Sequence, residues 1–100
     1  IGVIIIVFVA YKAHKYYYFG MDKFLPELGK RLREARKRHF PQDDLRAFSI
    51  RIDVSRATLQ KMEKGDLSVG MGKYFSAAKV LGLQHAFNKL FHEERGLFDD

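Results

Sequence analysis

The chain has 100 residues, 47% of them hydrophobic, a formal net charge of +6 and no cysteine. That length and apolar content suit one compact core rather than two. The missing cysteine excludes disulfides, cysteine-ligated zinc and thiol nucleophiles. The charge is uneven: Lys30, Arg31, Arg33, Arg36, Lys37 and Arg38 crowd together against Glu34 alone, whereas Glu93, Glu94, Asp99 and Asp100 outweigh Arg95 at the other end. A basic block on a small domain suits nucleic acid or an anionic membrane surface, and equally a solvated helix face with no partner. The histidines, His14, His39, His85 and His92, lack the close carboxylate pairing of a metal site. His85 and His92 are spaced to share a helix face but read as surface residues, so neither a metal nor a cofactor is expected.

The first stretch, Ile1 to Tyr11, is uncharged and rich in β-branched and aromatic residues. It is too short to cross a bilayer as a helix, which takes about 20 residues. It also lacks the preceding basic segment and the small-residue cleavage site of a secretory signal. The succession Val3, Ile4, Ile5, Ile6, Val7, Phe8 and Val9 predicts a buried strand. A lone strand needs a partner for its backbone, so pairing with the same segment of a second copy is expected. A second reading takes residues 1–20 as a leader foreign to the domain, because the chain opens on Ile, Met21 follows a glycine, and the composition is what translated AT-rich DNA supplies. On either reading the globular domain is expected over residues 21–95, with 96–100 as an acidic tail and the cytoplasm as its location.

From Met21 onward the apolar period is helical. Leu25, Leu28, Leu32 and Ala35 predict an amphipathic first helix over 22–38 with the basic block outside. His39-Phe40-Pro41-Gln42-Asp43 breaks it, since proline disfavours helix in the residue before it. Asp44 can cap a second helix reaching Arg51 and burying Leu45 and Phe48, and Ile52-Asp53-Val54 forms a tight turn. A third helix spans 55–64, capped by Ser55, with Leu59 and Met62 inward and Gly65 where a left-handed stop is cheapest. After a loop, a fourth helix from Met71 to Leu81 buries Tyr74, Ala77, Ala78 and Leu81 and ends at Gly82. A fifth, Gln84 to Glu94, carries Ala86, Phe87, Leu90 and Phe91. The fold class is therefore all-α, a five-helix arrangement preceded by a short N-terminal extension.

These residues resemble a known family. Leu28-Gly29 in the first helix, Val54-Ser55-Arg56-Ala57-Thr58-Leu59 and Glu63-Lys64-Gly65-Asp66 resemble the phage-repressor/Cro (Xre-type) helix-turn-helix regulators over Leu28 to Leu83. Gly65-Asp66-Leu67-Ser68-Val69 and Leu81-Gly82-Leu83 look most like the bacterial regulators encoded beside HipA-type toxin kinases. Two positions depart from the pattern: Asp53 stands where the turn usually has glycine, and Ser49 where alanine usually packs on the recognition helix. The link between the first two helices is also longer than usual.

The resemblance implies that Arg56, Ala57 and Lys61 face base edges in the major groove, with Gln60 reading adenine or touching backbone. The chemistry agrees, because Arg and Lys donate to guanine O6 and N7, and alanine can meet a thymine methyl. Ser55, Thr58 and Lys64 fall to phosphate contacts, which position a protein without reading sequence. Glu63 resembles the family's structural glutamate, whose partner is an arginine of the first helix at the position of Arg36.

Phe87, Leu90, Phe91, Leu97 and Phe98 leave more apolar surface than one small core takes up, which predicts a two-fold dimer through Phe87, Leu90, Phe91 and Phe98. Two recognition helices about 34 Å apart would read a palindrome. The expected function is a sequence-specific, double-stranded DNA-binding transcriptional regulator, a homodimeric (auto)repressor with an antitoxin-like place in its operon and a toxin as a further partner. The alternative is a protein-interaction module on the same fold with weak or no DNA binding. An enzyme is not expected: no paired carboxylates or nucleophile with base stand out, and Gly70-Met71-Gly72 is too short for a phosphate loop.

Overall fold

The computed structural model describes residues 23–94; the predicted N-terminal strand, the leader reading of residues 1–20, and the acidic tail with Phe98 lie outside the described residues. Among the described residues the fold is all-α: α1 (Pro26–His39), α2 (Leu45–Arg51), α3 (Arg56–Met62), α4 (Met71–Val80) and a 3-10 helix (Gln84–Lys89). One isolated antiparallel bridge, Phe24 to Asp66, ties the segment before α1 to the loop after α3.

The α1 start differs from the expected 22–38. Pro26 occupies the first turn, where its missing N–H costs nothing, and it holds Leu25 out of helical geometry. Leu25 instead donates its N–H to the Gly65 carbonyl at 2.8 Å, and its side chain, expected in the core, is half exposed. At the far end the helix runs to His39 and closes on Phe40, whose N–H reaches the Arg36 carbonyl at 2.8 Å.

Three helices end in the same way. After α2 the Val54 N–H returns to the Ser49 carbonyl at 3.0 Å and the Asp53 N–H to Ile50 at 3.1 Å. After α3, Asp66 and Gly65 make the equivalent bonds to Lys61 and Met62; after α4, Leu83 and Gly82 make them to Ala78 and Lys79. This closure requires one left-handed residue, and Asp53, Gly65 and Gly82 have φ of 59°, 76° and 74°. Aspartate is among the few non-glycine residues that adopt this conformation at modest cost, so the turn between α2 and α3 closes without glycine.

Leu32, Ala35, Phe48, Ile52, Leu59, Met62, Tyr74, Ala77 and Leu81 form one core drawn from all four α-helices. Phe48, Leu59 and Met62 are its fully buried large side chains, each worth about 1.5–3 kcal/mol of removed apolar surface. Leu28, Phe40, Leu45, Val54, Val69 and Phe87 pack around it.

The fifth helix is the larger correction. The stretch expected to be α-helical to Glu94 is a 3-10 helix ending at Lys89, after which Leu90 is extended and Phe91 is left-handed with φ of 65°. No side chain caps its N-terminus, and it has no buried residue to reward further winding. His85 and His92 therefore do not share an α-helical face.

Candidate functional site

α3 is short, and its orientation follows from what it buries. Leu59 and Met62 are fully enclosed, which turns Arg56, Ala57, Gln60, Lys61 and Lys64 outward. The Ser55 hydroxyl oxygen accepts the Thr58 N–H at 3.0 Å, and the same hydroxyl donates to Thr58 Oγ1 at 2.9 Å. The first turn of α3 is thereby held in register while both hydroxyl-bearing residues stay at the surface side of the helix. Asp44 caps α2 in the same manner, accepting the Ala47 N–H at 2.8 Å.

The angle of α3 is set by α2 and α1. Ser49 is buried, and its hydroxyl donates back to the Arg46 carbonyl at 2.7 Å, so a polar side chain at this small-residue position is satisfied within its own helix. Arg36 of α1 donates through Nε to Glu63 Oε2 at 2.5 Å and through Nη2 to Oε1 at 3.1 Å, at the end of α3. Both side chains are more than nine-tenths enclosed or at that limit, 7% and 9% exposed. A two-bond guanidinium–carboxylate pair fixes orientation as well as distance. The pair also removes Glu63 from the outward field, leaving Arg56, Lys61 and Lys64 without an acidic neighbour of their own helix on the exposed face.

Gly29 explains how closely α1 approaches. A Cβ there would overlap the backbone of Glu63 and Gly65, and a Cβ on Gly65 would overlap the Leu25 carbonyl. α1 and the segment that ends α3 are in backbone contact at this point, and no side chain fits between them. A glycine inside a helix costs about 1 kcal/mol relative to alanine, a cost offset here by the contact it permits.

The loop after α3 is tied both to α4 and to itself by hydrogen bonds. Tyr74 of α4 is buried and its hydroxyl donates to the Asp66 carbonyl at 2.7 Å. Burial first, and then the nearby Asp66 charge, raise the Tyr74 pKa. The Asp66 carboxylate accepts the Ser68 N–H at 2.8 Å. Hydrogen bonding from Ser68 holds that carboxyl below the usual carboxylate range, with Lys61 and Lys23 adding to it. A second ion pair, Arg51 with Asp43, closes the long link before α2, and the Arg51 guanidinium lies 4.3 Å from the Phe40 ring centre.

The residues read as the dimer interface are divided. Phe87 packs in its own domain, edge-on to Phe75 at 5.2 Å between ring centres, and lines an open apolar groove of about 220 Å³ with Leu28, Leu32, Ala78 and Leu83. Leu90 and Phe91 are exposed, Phe91 almost completely at 96%. Among the described residues no three His, Asp or Glu side chains gather as a metal site, and no helix is long and apolar enough to cross a membrane.

Sequence reasoning did not identify Pro26 as the start of α1, the backbone contact at Gly29, or the Asp43–Arg51 pair. The first two had visible signals: a proline inside an apolar period, and a glycine where the helix gains nothing from one. No family model, curated protein or solved structure matches this chain.

Proposed function

We propose that this chain is a sequence-specific double-stranded DNA-binding regulator of the helix-turn-helix kind, a binding protein rather than an enzyme. In this reading α2, the Asp53 turn and α3 are the helix-turn-helix unit and α3 is the recognition helix. The observation that carries it is the outward face of α3: Arg56, Ala57, Gln60 and Lys61 are all exposed on a helix whose opposite face is locked by Leu59 and Met62. Arg56 and Lys61 supply donors for guanine O6 and N7, Gln60 a two-point partner for adenine, and Ala57 an apolar contact for a thymine methyl. Ser55, Thr58 and Lys64 flank that face and serve phosphates.

The regulator acts as a homodimer on a palindromic operator, most simply by covering its own promoter in the cytoplasm, and an antitoxin-like role with a toxin partner fits the same reading. The exposed Leu90 and Phe91 support a second chain contact. The same surface and its groove favour the second reading, a protein-interaction module with little DNA binding.

Selection of bound duplexes from random DNA, followed by titration at two salt concentrations, separates the two. A regulator enriches a sequence and binds it with an affinity that falls steeply as salt rises, because phosphate contacts release counterions. No enrichment, with binding that ignores sequence or is absent, overturns the reading.

A further inference from the structure

α1 carries its cations on two different sides. Gly29 and Arg36, two turns apart, both face the end of α3: one is in backbone contact with Glu63 and Gly65, the other is paired with the Glu63 carboxylate. Arg33 lies four residues after Gly29 and three before Arg36, so it shares their side of the helix at its exposed margin. Lys30 and Lys37, three before and four after Arg33, continue that margin as a row, with the exposed Glu34, four after Lys30 and three before Lys37, along its outer edge. All three side chains are exposed, and none belongs to a salt bridge among the described residues. Gly29 brings α1 into backbone contact with residues 63–65, the segment that carries the exposed Lys64.

Arg31 and Arg38 stand on the other side. Arg31 faces Glu27 at 3.9 Å and lines the apolar groove beside Leu28, and Arg38, two turns further on, follows it. The basic block that looks uniform in the sequence is thus divided by helical spacing into a row beside Gly29 and Arg36, which face residues 63–65, and a pair on another side of α1.

We infer that Lys30, Arg33 and Lys37 form a phosphate-contacting rail that extends the α3 footprint along the same DNA strand. The inference rests on the DNA-binding reading above. The rail spans about 10 Å of helix axis, at about 1.5 Å per residue, and DNA presents one phosphate per about 3.4 Å of axis on each strand, so two or three phosphates match its length. Lysine and arginine on a helix rim reach phosphate oxygens without reading bases, so the rail adds affinity and register but no sequence preference.

The test uses the full chain and a random-sequence duplex of about 30 base pairs, which registers phosphate contacts alone. Arg33→Gln/Lys37→Gln and Arg31→Gln/Arg38→Gln remove the same charge from the two sides of α1, and binding is followed by fluorescence anisotropy from about 50 to 200 mM salt. The rail variant should flatten the slope of log affinity against log salt by about 1.8, at about 0.9 per phosphate, so that wild type loses about 12-fold more affinity than the variant across that range. The control variant should change the slope by less than about 0.5. Equal changes in the two variants, or an unchanged slope in the rail variant, overturn the rail while leaving the DNA reading intact. Absence of wild-type binding at about 50 mM salt overturns the DNA reading and the rail together.

Discussion

Arg36 and Glu63 are 27 positions apart, yet they form a two-bond ion pair that joins the last turn of α1 to the end of α3. Neither side chain is open to water, so each charge depends on the other for its compensation. Arg36→Ala should lower stability by about 3–5 kcal/mol, because it strands the Glu63 carboxylate. The double variant Arg36→Met/Glu63→Leu should be markedly more stable than Arg36→Ala, since no unpaired charge remains. Chemical denaturation of the set checks this, and equal melting of Arg36→Ala and wild type would show that the pair has no structural role.

Two glycine-to-alanine changes should have opposite signs. Gly72 lies in α4 with open space around its Cβ position, so Gly72→Ala should stabilise by up to about 1 kcal/mol through helix propensity alone. Gly29→Ala gains the same propensity but drives a methyl group into the Glu63–Gly65 backbone, and should destabilise by about 1–3 kcal/mol or more. Thermal melting of both variants reads the difference directly. A stabilised Gly29→Ala would mean that α1 and the end of α3 are not in backbone contact.

The Asp43–Arg51 pair makes stability depend on pH. The hydrogen bond from Arg51 holds the Asp43 carboxyl below the usual carboxylate range. A depressed folded pKa gives stability that is present above the unfolded value of about 3.9 and lost as pH falls through the folded value. Asp43→Asn should therefore melt lower than wild type at pH 7, with the gap closing as the pH drops below about 4. A gap that persists unchanged to pH 2 would assign the loss to something other than this charge.

If α3 is the recognition helix, as proposed, its base-reading and phosphate-binding side chains should separate in binding measurements. Arg56→Ala should weaken the selected operator by about 1–3 kcal/mol and relax the preference at one base pair. Lys64→Ala should weaken operator and random DNA alike and lower the salt slope by about 1. Equal losses of specificity from the two changes would refute this division of roles.

Much of the helical layout was legible because it is written in short-range chemistry. The Asp44 and Ser55 caps, the left-handed stops at Gly65 and Gly82, and the apolar spacings of Leu28, Leu32, Ala35 and of Tyr74, Ala77, Ala78 are decided within one or two turns. The fifth helix was misread for the converse reason. Its apolar residues have helical spacing, but no cap begins it and no core residue continues it past Lys89.

The sequence by itself determined the order of α1 to α4 and, apart from the start of α1, their placement, together with the tight turn at Asp53 and the side of α3 that must be buried, since apolar periodicity and local hydrogen bonding leave little choice there. Only the tertiary structure decided how close α1 comes to the end of α3, the two-bond geometry and enclosure of the Arg36–Glu63 pair that the family resemblance implies, and which cations of residues 30–38 lie on the side of α1 that faces residues 63–65. Those relations depend on backbone contact between segments distant along the chain. A run of lysines and arginines records the charge that is present, whereas packing fixes the direction in which that charge acts.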